Sequence, residues 1–271
     1  VSDYEIIERI DAFCDAAPRR RANAEQLGPL VLFVPAGPGW PYYARPRRDL
    51  RTAVTVADVR RVRARQRELL IPESFEWIEE VTPGLATVAA NAGLAVHPHP
   101  LLTLDTLVRP PAPSRAAIRV VSPDDPDLVM AWAVPGVAFG YPGTEIGEAG
   151  VIERDKIAAG HDGSTIGLLR ERLESGESVL AAAFGPAGPL AAGSYQLVDG
   201  IAEITGVGVL PASRQRGLGA GITATLAADA ASRGAQVVFL SATDDRVAGI
   251  YARLGFRRIG TAMIADPPGD A

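Results

Sequence analysis

Residues 214–221 read RQRGLGAG, directly after EITGVGVLP at 203–211. A strand, a glycine-rich turn and a helix start (LGAGITATLAADAASRG, 218–234) together make an anion site. The first N–H groups of a helix lack internal partners, and the macrodipole places partial positive charge there. Glycines let a phosphate approach the backbone without a Cβ in the way. Arg214 and Arg216 can add charge at the rim. Two nucleotide motifs fail on specifics. A Walker loop needs a closing Gly-Lys-Ser/Thr, which is missing. A dinucleotide fingerprint needs other glycine spacing and a place in the first strand–turn–helix unit.

The elements around this loop set its context. Upstream, SVLAAAFG (178–185), PLAAGSYQLVDG (189–200) and IAEITGVGVLP (201–211) read as three strands joined by Gly/Pro turns, an antiparallel meander. Before them stand AIRVVSPDD (117–125), a strand running into a helix start, and DPDLVMAWAVPGVAFG (125–140), a helix followed by an irregular piece. STIGLLRERLESG (164–176) is a helix that Gly176 can end. Downstream, Leu218, Ile222, Leu226 and Ala230 form the inward stripe of the helix after the loop. VVFLSA (237–242) is an apolar strand, RVAGIYARLGF (246–256) a helix ending at Gly255, and FRRIGTAMIA (256–265) a last strand. The order predicts an α/β fold: a mixed sheet with helices on its faces.

RPPAPS (109–114) reads as a linker, because prolines fix φ and remove ladder donors. The boundary is placed near residue 112, giving an N-terminal α/β domain (1–112) and a larger C-terminal domain (113–271). In the first part, YEIIERIDAFCDAA (4–17) is an amphipathic helix, with Cys14 a core thiol that has nothing near it to make it reactive. PLVLFVPAG (29–37) is a buried strand and GWPYYARP (39–46) a short one. TVADVRRVRARQRELL (55–70) is a helix with Val59, Val62 and the Leu69–Leu70 pair inward. FEWIEEVTPGLATVAANAGL (75–94) reads as helical on either side of Pro83, and LLTLDTLVR (101–109) as a strand. His97 and His99 in HPHP are too few for a closed metal site and read as strand entry.

Composition narrows the class. Of 271 residues 47% are hydrophobic, enough for one large core or two ordinary ones. No apolar run has the length of a membrane span, and no signal peptide is read. A single cysteine excludes a disulfide framework, so a cytoplasmic setting is expected. Residues 1–114 carry 14 Arg against 14 Asp and Glu, so the net charge of −5 falls on the rest. An acidic field disfavours nucleic acid and favours a cationic ligand.

The loop resembles the acetyl-CoA motif of the GCN5-related N-acetyltransferase (GNAT) superfamily, Arg/Gln-x-x-Gly-x-Gly/Ala, here Arg214-Gln215-Arg216-Gly217-Leu218-Gly219. The strand before it ends Val207-Gly208-Val209-Leu210-Pro211, similar to the family's Val-x-Val-x-Pro. YARLGF (251–256) is similar to its Tyr-x-x-x-Gly-Phe segment, so the resemblance covers about 115–265. It implies a C-terminal GNAT-type fold with acetyl-CoA as acyl donor. Backbone N–H groups of Gln215, Arg216, Gly217, Leu218, Gly219 and Ala220 would cradle the pyrophosphate. The backbone of Val207 and Val209 would pair with the pantetheine arm, and a bulge at Gly206 and Gly208 would open the acyl slot. Tyr251 would protonate the departing thiolate. Asp244 stands where many members have an Asn that holds the cofactor arm, a departure from the pattern. The first part, 1–112, reads as a degenerate copy of the same fold, with Trp40, Tyr42, Tyr43, Phe75 and Trp77 as candidate walls of an acceptor pocket. An unrelated small α/β domain is the alternative.

The chemistry calls for a base. An amine attacks a thioester only when neutral, and a lysine-like amine is almost wholly protonated near pH 7. By period two, Glu203 shares a face with Thr205 and Val207, and several family members place a base Glu at the matching point. The expected function is therefore transfer of an acetyl group to the primary amine of a small molecule or peptide, with no metal and no covalent enzyme intermediate. The competing readings are a non-catalytic acyl-CoA sensor, or transfer of another acyl or aminoacyl group on the same scaffold.

Overall fold

The computed structural model describes residues 2–37, 42–49, 52–105 and 117–269. The linker, the boundary at 112 and Trp40 lie outside them. The first stretch runs α1 (Asp3–Ala16), β1 (Ala22–Leu27), β2 (Leu30–Pro35), β3 (Arg45–Pro46), α2 (Val56–Glu68), β4 (Phe75–Ile78), α3 (Leu85–Asn91) and β5 (Ala95–Asp105). The second runs β6 (Ala117–Val120), α4 (Leu128–Gly140), α5 (Val151–Ala159), α6 (Gly163–Glu174), β7 (Ser178–Gly185), β8 (Gly188–Val198) and β9 (Ile201–Val209). It closes with α7 (Leu218–Ser232), β10 (Val237–Ser241), α8 (Asp245–Ala252) and β11 (Arg257–Asp266). Among these described residues no helix is long and apolar enough to cross a membrane.

The chain divides into two compact units. The first holds Val1–Leu102, Ser241–Ala248 and Arg258–Ala271; the second holds Thr103–Leu240 and Gly249–Arg257.

In the first unit β1, β2 and β3 form a three-stranded antiparallel sheet, and β11 lies between β4 and β5. Ser2 and Glu5 cap the start of α1 reciprocally, and Thr55 and Asp58 do the same for α2. Val59 and Val62 of α2 are buried against Leu30, Leu32, Phe75, Trp77 and Leu85. Arg45 is 1% exposed and bridges Asp11 at 2.6 Å and Glu76 at 3.1 Å. Burial opposes its charge, but Cys14, Glu76 and Asp11 hold its pKa above the ordinary arginine value. Cys14 is half-buried and adjoins this guanidinium, so the expectation of a thiol with no basic neighbour is corrected.

Other expectations for this unit also change. FEWI is the strand β4, not helix: Phe75 and Trp77, two residues apart, share the face that enters the core, and β4 pairs with β11 from Phe75–Ala265 to Ile78–Ala262. Phe75 and Trp77 are therefore core, not pocket wall. Leu70 lies past the end of α2 at φ 55° and is 93% exposed, while Leu69 packs on the core. β1 was not legible, and β5 begins at Ala95, so HPHP lies within the strand.

The second unit is a mixed sheet in the order β10-β9-β8-β7-β6. β10 runs parallel to β9, and the other pairs are antiparallel. The meander is as expected. α4 packs on one face, where Leu128, Ala131, Val134 and Val137 meet Leu180, Ala182 and Ala192. It continues through Pro135, where a helix followed by an irregular piece was expected. α5 was not anticipated. α7 covers the other face with Leu218, Ile222, Leu226 and Ala230 buried, and the Tyr195 hydroxyl of β8 donates to Asp229 of α7 at 2.6 Å.

Candidate active site

The site starts where two parallel strands part. β10 pairs with β9 at Val237–Ile201, Val238–Ala202 and Phe239–Glu203, and there the ladder stops. β9 continues to Val209. Beyond Glu203 its edge toward β10 is thus open backbone, and the edge toward β8 stays paired.

The far half of β9 is bulged. Its register against β8 passes from Ser194–Thr205 to Ala192–Gly208, so Gly206 and Val207 together oppose Gly193. Gly206 has φ +63°, which suits a residue without a Cβ. The bulge reverses the alternation of side chains. Tyr195 faces α7, so its neighbours Ser194 and Gln196 face α4. Thr205 meets Ser194 at 3.3 Å between hydroxyl oxygens, and Glu203 is opposite Gln196. Glu203 and Thr205 therefore face α4. Val207 lies on the α7 side, since a Cβ on Gly193 would touch both Val207 and Ile222 at 3.0 Å. The expectation that Glu203, Thr205 and Val207 share one face is thereby corrected: the extra residue turns Val207 over. Gly208 packs on α4, where a Cβ would come within 2.8 Å of Ala138 Cβ.

After β9 a short turn, Pro211–Ser213, leads to the glycine-rich loop. Gln215 and Gly217 both take left-handed backbone, at φ 63° and 74°. Gly217 is the N-cap of α7 and offers no capping side chain, and no acid lies in the first turn. The N–H groups of Leu218, Gly219 and Ala220 thus have no carbonyl one turn back and no side chain over them. Beyond its own chain neighbours, no described atom lies within 4 Å of a Cβ built on Gly217. Arg216 is exposed. Arg214 turns away from the loop: its guanidinium donates to the carbonyl oxygens of Ala138 at 3.2 Å, Tyr141 at 2.5 Å and Glu145 at 3.2 Å. Its side chain thus holds the end of α4, and only its backbone belongs to the loop.

Tyr251 is on α8, its ring 6.1 Å from that of Phe256 between centroids. Burial pushes its phenol up to about 12, so it keeps its proton across the neutral range. The Asp244 carboxylate accepts from Val247 N–H at 2.8 Å and so caps α8, a local task the sequence pattern did not reveal. His97 lies 3.4 Å from Asp266 and His99 contacts the Thr243 carbonyl oxygen; among the described residues no three metal-ligating side chains cluster.

Residues 186–264, which include β9, the loop, α7 and Tyr251, match the FR47-like protein family. No curated protein matches the sequence. A GCN5-related N-acetyltransferase from Kribbella flavida superposes with a TM-score of 0.72 at 24% identity, over 97% of this chain and 96% of that one. A tandem GNAT protein from the clavulanic acid biosynthesis pathway gives 0.53 at 17% identity, over 89% and 79%. A GCN5-related N-acetyltransferase from Sphaerobacter thermophilus gives 0.51 at 19% identity, over 76% and 66%. The chain thus has the fold of the GCN5-related N-acetyltransferase superfamily, and part of its C-terminal half is similar to the FR47-like protein family.

Proposed function

We propose that the protein moves an acyl group, acetyl in the simplest case, from acyl-CoA to a primary amine. The observation that carries this reading is the fork. β9 leaves β10 after Glu203, and its open edge leads through the glycine-rich turn to a helix start with no cap. The two donor arrays suit two parts of one ligand. The free edge at Val207 and Val209 suits the amide-bearing pantetheine arm, as an added strand would pair. The N–H groups from Gln215 to Ala220 suit a pyrophosphate. The open space beside Gly217 leaves room for it. Acetyl-CoA, when bound, supplies an electrophilic thioester carbon.

The chain's own residues then move protons. Glu203, at the point of the fork, takes the proton of the incoming ammonium, directly or through one water. The amine nitrogen bonds to the acyl carbon as the carbon–sulfur bond breaks. The Tyr251 hydroxyl gives its proton to the departing sulfur and regains one from solvent, while the new amide nitrogen gives its second proton to solvent and Glu203 releases the first.

Calorimetry with acetyl-CoA and CoA tests the reading on the intact protein, beside Gly217→Asp and Gly217→Asn. Asparagine tolerates left-handed backbone and differs from aspartate by charge alone. The aspartate variant is expected to bind roughly 10- to 100-fold more weakly than the asparagine variant, because its carboxylate repels the pyrophosphate. No binding of any acyl-CoA by the unaltered protein would overturn the assignment.

A further inference from the structure

Three cross-strand pairs of β8 and β9 lie on the α4 side of the sheet: Ala192–Gly208, Ser194–Thr205 and Gln196–Glu203. The first is apolar and closed. Ala192 is buried in the core under α4, and Gly208 packs on Ala138 of that helix. The other two pairs are polar, and all four of their residues are half-buried. The cover of α4 therefore ends between Ala192 and Ser194. The polar part of this face holds the base Glu203, and Thr205 is the next residue of β9 on the same side.

A hydroxyl donates once and accepts twice. The hydroxyls of Ser194 and Thr205 lie 3.3 Å apart, and among the described residues neither side chain has another hydrogen-bond partner. One O–H is used between them, in either direction, and the remaining capacity of the pair is uncommitted. A Cβ on Gly206 would stand 4.0 Å from Ser194 Oγ and 4.0 Å from Pro135 Cγ. The pair thus sits beside the bulge, where α4 presents a proline with no N–H to offer. Two residues along a strand set the Cβ atoms of Glu203 and Thr205 roughly 7 Å apart. One nitrogen can span such a gap with a hydrogen bond of about 3 Å to each side.

We propose that Thr205 is a second catalytic residue, whose hydroxyl accepts a hydrogen bond from the attacking nitrogen, and that Ser194 is the positioning residue that fixes this hydroxyl. The proposal rests on the acyl-transfer reading above. Thr205 donates its own proton to Ser194, which leaves its lone pairs toward the amine. Glu203 takes one proton of the ammonium and Thr205 holds a second in place, so the freed lone pair has one direction left to it, toward the acyl carbon. No proton passes through the hydroxyl pair: Thr205 keeps the one it has, and the proton that leaves the nitrogen goes to Glu203.

The test runs on the full chain. CoA affinity is measured first by calorimetry, and transfer is then followed as free thiol released from acetyl-CoA with 2-phenylethylamine, spermidine, glucosamine and a lysine peptide. With the best of these amines, Thr205→Val, which keeps the shape and removes the hydroxyl, is expected to lower kcat/KM by about 10- to 100-fold. Its CoA affinity should stay within about twofold, and the acidic limb of its pH–rate profile should remain, because Glu203 still titrates. Calorimetric affinity of the same amine for the CoA-saturated protein should fall about tenfold. Thr205→Ser keeps the hydroxyl and should recover kcat/KM to within about threefold. Ser194→Ala should cost about 3- to 10-fold alone and nothing further in the Thr205→Val background, since the two act as one unit. A packing role predicts the opposite order, with valine active and serine impaired, and that result would overturn the proposal. So would a Thr205→Val protein of full activity, or one whose CoA affinity is lost. A Ser194→Ala effect that simply adds to Thr205→Val would overturn the part given to Ser194. CoA binding without turnover of any of the four amines would overturn the role of Thr205 and leave the donor-site reading standing, and absence of CoA binding removes both.

Discussion

Two helix starts of the first unit, those of α1 and α2, and the start of α7 meet one problem in opposite ways. At α1 and α2 a serine or threonine accepts from the helix, and an acid three residues on accepts in return. There the N–H groups of the cap residue and of the third helical residue are covered before any ligand arrives. At α7 the chain places Gly217, and its donors remain open. The same contrast holds for charge. In the first unit Arg45 is enclosed by Asp11 and Glu76, and Arg63 and Arg67 share Glu73. In the second unit Arg216 is exposed at the loop. Satisfied groups give stability, and open ones are available for binding. A substitution should therefore affect one property or the other, according to where it falls.

The largest expected effect tests the binding side. Glu203→Gln should lower kcat by roughly 10²- to 10⁴-fold, the usual worth of a general base, and flatten the acidic limb of the pH–rate profile. Its urea midpoint should stay near that of the unaltered protein. An unchanged rate would remove Glu203 from the chemistry. On the stability side, Arg45→Ala leaves Glu76 without its arginine and Asp11 with Arg48 alone, and should cost about 3–5 kcal/mol in urea unfolding, since breaking one side of a buried pair is severe. CoA affinity of the folded fraction should not move. Thr55→Ala removes one cap and should cost about 1 kcal/mol, again without effect on CoA.

The smallest effect concerns acid. Asp162 caps α6, and hydrogen bonds from the Thr165 backbone N–H and the Ser164 hydroxyl lower its pKa from 3.8 to about 2. Its folded pKa lies below the unfolded one. Its contribution is thus present above the unfolded value and fades as pH falls from about 4 to about 2. Urea midpoints taken down that range should fall less steeply for Asp162→Asn than for the unaltered protein; identical slopes would refute the cap's role.

Much of the second unit was legible because its signals are local. The meander is marked by turns, α7 by an apolar stripe, and the loop by glycines next to a strand end. What escaped depends on partners far along the chain. FEWI is four residues long, and its strand character comes from β11, nearly two hundred residues on. The GVG at 206–208 pointed to a bulge, but which residue turns over is set by register against β8, and so Val207 was placed on the wrong face. Arg214 looked like a phosphate ligand because its position in the motif is visible and the carbonyls of Ala138, Tyr141 and Glu145 are not. Asp244 was read against a family pattern, while its geometry is that of a cap.

The bulge at Gly206 has another effect. A strand edge left open for a narrow ligand is also a template on which a second chain could add. Fibrous association of that kind needs a flat run of about six residues of extended backbone. The bulge interrupts the open edge after Thr205 and leaves only Val207 to Val209 beyond it. The edge can accept a short, flexible arm, yet it is too broken to zip onto its own kind.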